Sequence, residues 1–165
     1  MRNTLVLAAL LLGVAPAFAE EPVGCDKFKW PVDLQRAALS TAGQQKVVSG
    51  SEVTTVAAES VSLKPLADAG LAMPPERKQK DGTFAGFVTI KNLDAGTYMI
   101  GVSDYAWIDV VQNGNYIKPK DFSGATGCDG LRKTMKFELG TAPTTVQISG
   151  VEKNVINLVI LPAAN

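Results

Sequence analysis

Four side chains around a single turn carry most of the binding chemistry in this sequence. Tyr105 and Trp107 lie at the start of one strand-like run. Tyr116 and Lys118 lie just beyond the Asn113-Gly114 pair that joins it to the next. Aromatic rings offer large, rigid contact area at low entropic cost, and a nearby lysine adds a charge. The set suits stacking on a sugar ring or gripping a peptide, so Tyr105, Trp107, Tyr116 and Lys118 are the candidate ligand-binding residues. Trp107 has a competing role, because β-sandwich cores often centre on a tryptophan, and a core position is the expectation for it. Tyr105 and Tyr116 stay open between packing and binding. Trp30 is expected to anchor an N-terminal helix.

The acidic residues allow a second chemistry. Asp104 and Asp109 flank residues 105–107, and Asp121 and Asp129 sit in a later loop. A carboxylate-based hydrolase needs two such groups at a controlled separation in a cleft, which spacing along a chain does not set. The expectation is that Asp104 caps a turn and Asp109 is a surface or network residue. Loop aspartates and carbonyls could together hold calcium, but no Asp-x-Asp-x-Asp loop is present. Histidine, the commonest general base and metal ligand, is absent. Ser-His-Asp, Cys-His and ordinary zinc sites are thereby excluded. No glycine-rich loop opens a helix after a strand, so no phosphate cradle is visible. No catalytic residue, metal ligand or cofactor is expected.

Charge narrows the partners. The chain has 16 basic and 16 acidic residues, without the phosphate-neutralising excess that nucleic-acid binding requires. Arg77, Lys78 and Lys80 form a small basic cluster, expected to be a solvated loop partly balanced by Glu76 and Asp81.

The first nineteen residues read as a leader. Arg2, an apolar run over residues 5–14 and Ala17-Phe18-Ala19 have the layout of a signal peptide cleaved after Ala19. Cleavage leaves about 146 residues, enough for one domain. No later run is long and apolar enough to be a membrane helix. The two cysteines, Cys25 and Cys128, fall in the mature part, where export implies a disulfide. The expected location is periplasmic or secreted.

Strands must position these groups. A short helix is expected over 31–42, with Pro31 in its first turn and Gly43 as its stop. Residues 44–57 are polar around Ser49-Gly50-Ser51, with a weak strand at 53–56. Strands follow at 60–64, 84–90, 97–103, 106–112, 116–118, 131–139, 144–149 and 155–161, with 66–82 as a long connection. Gly86 marks a bend or a close approach, and Asn113-Gly114 is the strongest hairpin signal. Met135, Phe137 and Leu139 alternate inward. The same parity turns Lys133 inward, so it must sit at a strand entrance or be buried with a partner. The pattern is all-β, an antiparallel, jelly-roll-like sandwich with a short N-terminal helix. Residues 20–57 form an N-terminal segment packed on a sandwich of residues 58–165.

The segment Leu93-Asp94-Ala95-Gly96-Thr97-Tyr98-Met99-Ile100 resembles the L-x-A-G-x-Y strand start of secreted β-sandwich modules, including pre-peptidase C-terminal-type and some carbohydrate-binding domains. More broadly, Cys25-Asp26-Lys27-Phe28, Ala106-Trp107-Ile108-Asp109-Val110-Val111-Gln112 and Cys128-Asp129-Gly130-Leu131-Arg132-Lys133 resemble small exported proteobacterial proteins of no assigned activity. These resemblances imply export and a sandwich fold, and they transfer no functional residue. The expected role is an exported, non-enzymatic binding or envelope-accessory protein. Its partner would be an envelope glycan, a peptide or another envelope protein. A self-associating structural protein and a carboxylate-based hydrolase are the alternatives.

Overall fold

The structure is a computed structural model and describes residues 20–40, 45–54 and 57–163. The expected leader, the helix stop at Gly43 and the second half of the 53–56 strand lie outside the described residues.

Among the described residues one α-helix, α1 (Asp33–Ser40), precedes the strands β1 (Gln45–Val48), β2 (Glu52–Val53), β3 (Ala58–Ser62), β4 (Lys64–Pro65), β5 (Phe84–Ile90) and β6 (Gly96–Val102). The remainder are β7 (Trp107–Gln112), β8 (Asn115–Ile117), β9 (Asp121–Gly124), β10 (Lys133–Leu139), β11 (Thr144–Val151) and β12 (Val155–Pro162). They form two sheets, in the orders β1-β3-β12-β6-β10-β9 and β2-β5-β11-β7-β8, with β4 also on β5. The fold is an all-β sandwich with a short N-terminal helix. Period-two alternation sends Ile100, Phe137, Leu158 and Ile160 from the first sheet against Val88, Ile108, Val110 and Ile148 from the second.

The pairing is not wholly antiparallel. β1 runs parallel to β3, and β2 parallel to β5. The cause is a change of sheet within the N-terminal segment. The chain leaves β1, where the Ser49 N–H donates to the Ser62 carbonyl. It steps across at Gly50, whose N–H donates to Phe87 of the other sheet, 2.7 Å away. Gly50 takes φ 95°, a left-handed conformation that suits glycine. β3 then returns to the first sheet in the direction of β1. Gly86 is the close approach its sequence position suggests: a Cβ there would come within 2.9 Å of Ser49 Oγ and Leu63 Cδ2.

A second apolar layer covers the outer face of the first sheet. Phe28, Val32 and Leu39 pack with Ala58, Ala125, Leu131 and Val159. Helix α1 is only eight residues long, too short to hold alone. The Cys25–Cys128 disulfide ties its lead to the sheet. Trp30 packs at the margin of this layer under the Lys136 ammonium, 4.4 Å from its ring centroid. Gln35, 1 % exposed, lies over Gly101, the space a side chain there would fill.

The disulfide spans 103 residues. The chain-entropy model assigns such a closure roughly 4–5 kcal/mol, an upper figure. Reduction is therefore expected to lower the urea midpoint steeply, and intact mass is expected to rise by two hydrogens on reduction. Glu59 makes a second prediction. It is 3 % exposed, its Oε2 has no hydrogen-bond partner, and burial pushes its carboxyl above the ordinary range. A raised carboxyl means the fold disfavours the charged form, so stability falls as pH rises through the window between the unfolded and folded values. Glu59→Gln should raise the urea midpoint at neutral pH, and the gain should close in acid, where the wild-type carboxyl is neutral in both states.

Candidate functional site

The site begins with the parity of β7. Ile108 and Val110 face the core, which puts Trp107, Asp109 and Val111 on the outer face of the second sheet. Trp107 is thus half-buried and outside the core, contrary to the expected core position. The reason is its partner in parity: a face that took Trp107 inward would also take Asp109, whereas two β-branched aliphatics bury without polar cost. Asp109 is nevertheless only 4 % exposed, because the connection over 66–82 folds across it as a strap.

Side chains of the sheet hold the strap's backbone. Gln147 accepts from the Met73 N–H at 2.9 Å and donates back to the Met73 carbonyl at 3.0 Å. Asp109 Oδ2 accepts from the Glu76 N–H at 3.2 Å, and its Oδ1 accepts from the Trp107 indole N–H at 2.8 Å. The Tyr116 hydroxyl donates to the Pro74 carbonyl, and Lys118 pairs with Glu76. Burial holds the Asp109 carboxyl above its ordinary range despite the hydrogen bonds from Trp107 and Glu76.

Beside β7 the ladder of the second sheet stops short. Asn113 and Gly114 take φ 51° and 72°, the signature of a two-residue hairpin turn. β8 pairs only as far as Val110 with Ile117. Gln112 and Val110 point their backbone groups at β8, so by antiparallel alternation those of Ile108 point beyond its end. Pro119 stands next and has no N–H to donate. A cavity of about 290 Å³ opens there, between the edges of the two sheets. Ile108, Ile117, Phe122 and Met135 supply its apolar lining, and Trp107, Asp109, Glu76, Lys118 and Lys133 its polar one.

Lys133 opens β10 and turns inward with Met135. Its Nζ donates to the Ala106 carbonyl at 3.4 Å and lies 5.5 Å from the Trp107 ring centroid. The Arg77 guanidinium lies 5.7 Å from the same ring. Burial, then the charges of Arg132 and Arg77, press the Lys133 ammonium toward losing its proton, and Asp109 opposes them.

The four candidate binding residues therefore divide. Trp107 and Lys118 line the cavity, and Tyr116 is committed to the strap. Tyr105, 56 % exposed, lines a separate groove of about 510 Å³ with Arg77, Lys78, Lys80 and Lys153. The basic cluster is thus one wall of a groove. Asp104 lies in that groove, bonded to Ser103 and paired with Lys153, whereas Asp121 pairs with Lys29 elsewhere. Among the described residues no cluster of three or more acidic or cysteine side chains is placed to hold a metal. Asp109, weighed for carboxylate chemistry, lines the cavity, and Lys133, Phe122 and Met135 belong to it without having been candidates. Of the residues that were not candidates, Lys133 was the one the sequence marked, by its inward parity. Compared with family models, curated proteins and solved structures, the chain matches none.

Asp109→Ala removes the acceptor of both the strap and the indole. It should cost about 1–3 kcal/mol and raise hydrogen exchange at the Glu76 amide. Lys153→Ala, which breaks an exposed ion pair, should cost under about 1 kcal/mol and leave that exchange unchanged.

Proposed function

We propose that this is an exported, non-enzymatic binding protein of an oxidising compartment, periplasmic or secreted, whose ligand is an extended peptide with an apolar residue. The leader-like residues 1–19 and the Cys25–Cys128 bridge support the compartment. One observation carries the ligand: an apolar cavity lies where the β7 ladder ends, so Ile108 offers backbone groups beside a pocket. Strand addition works this way, with main-chain bonds giving affinity and a pocket giving selectivity. A sugar fits less well. Arg77 and Lys133 already lie against Trp107, and Tyr105 and Trp107 line separate depressions, so the aromatics form no common stacking platform.

The test is a nitrogen-15 NMR titration of residues 20–165 with two acetylated tripeptides, one ending in leucine and one in serine, and with a chitin oligosaccharide. The leucine peptide should shift the Trp107 indole and Ile108 amide, and Ile117→Trp, which fills the cavity, should abolish the response. No response to either peptide, or a response to the oligosaccharide alone at these resonances, would refute the reading.

A further inference from the structure

Lys133 is half-buried, and its Nζ has the Trp107 ring at 5.5 Å and one long hydrogen bond as its contacts. An ammonium has three donors. The hydrogen bond recorded for this one is to the Ala106 carbonyl, at 3.4 Å near the limit of such a bond. Among the described residues no carboxylate lies within ion-pair distance of it. The nearby acids are already engaged: Asp109 accepts from Trp107 and from the strap, and Glu76 pairs with Lys118. Arg77, at the far reach of the same indole, adds positive charge. A half-buried ammonium with no carboxylate on it gains from an added anion, and the cavity beside it has room for one.

The space beside Lys133 says what kind of anion. At about 290 Å³ the cavity is at the lower end of ligand pockets, room for one apolar side chain and a small head group. Its apolar walls, Ile108, Ile117, Phe122 and Met135, suit an aliphatic body and exclude a highly hydrated phosphate or sulfate. The Ile108 backbone can align an extended chain that ends there.

We propose that the group seated on Lys133 is a carboxylate carried on an apolar body, as at the C-terminus of a peptide ending in an aliphatic residue. This rests on the peptide-binding reading and adds the end that is recognised. Lys133 would supply two charge-assisted bonds, Ile108 the backbone register, and the apolar walls the selectivity for the last side chain.

Calorimetry with the acetylated peptide Ala-Val-Leu as free acid and as amide, and with octanoate, tests it. Wild type should bind the acid at least about tenfold more tightly than the amide, the effect of losing charge-assisted bonds. Lys133→Gln should erase that difference while keeping weak binding of the amide. Octanoate binding as tightly as the peptide acid would support the carboxylate and assign it to a free acid rather than a chain end. Equal binding of acid and amide by wild type would overturn the inference and leave the peptide site standing. Failure of all three ligands would overturn both.

Discussion

A carboxylate withdrawn from water must be hydrogen-bonded, and in this protein the carboxylate of Asp109 meets that constraint by organising everything around it. One oxygen takes the indole N–H of Trp107, two residues away on the same strand face. The other takes a backbone N–H from the strap. The first bond turns the tryptophan toward Lys133 and away from solvent. The second brings Glu76 to Lys118 and Arg77 to the indole. Both walls of the cavity mouth follow from one buried acid. Burial raises its carboxyl, so the arrangement costs stability that the surrounding bonds only partly offset, a pattern common where a site is maintained against folding preference.

A two-sheet sandwich buries its inner faces and leaves two outer ones. Here each outer face has its own cover. The first sheet carries an apolar layer of helix and lead, tied by the disulfide. The second carries a strap with an apolar first half and a charged second half, held by side-chain-to-backbone bonds from Gln147, Asp109 and Tyr116. The difference matters for function. The disulfide-tied layer packs an apolar face onto its sheet, whereas the strap borders the groove at Tyr105 and the cavity at Trp107. The proposed binding role sits on this side, where β8 is cut short by Pro119.

Much of this architecture was legible in the sequence where the signal was local. Asn113-Gly114 specified a hairpin because both positions need positive φ. Met135, Phe137 and Leu139 alternated inward as strand geometry requires. Gly86 marked a contact no side chain could share. Lys133 was marked by parity alone. What escaped depended on distant partners. The face taken by Trp107 was decided by competition between Asp109 and the Ile108–Val110 pair, and the alternation is the same either way. The parallel pairings of β1 and β2 follow from a change of sheet at Gly50 that no propensity encodes. The strap looked like solvated connection, because the Gln147 and Asp109 side chains that bind its backbone lie 74 and 33 residues further along the chain.

The central claim is that the space bounded by Ile108, Ile117, Phe122, Met135 and Lys133 receives the end of an extended chain. A crystal structure of residues 20–165 grown with the acetylated peptide Ala-Val-Leu tests it most directly. The account predicts the peptide beside Ile108 as an added strand, its leucine between Ile117 and Met135 and its carboxylate on Lys133 Nζ. Peptide density in the Tyr105 groove instead, or a cavity closed by its own side chains, would contradict it.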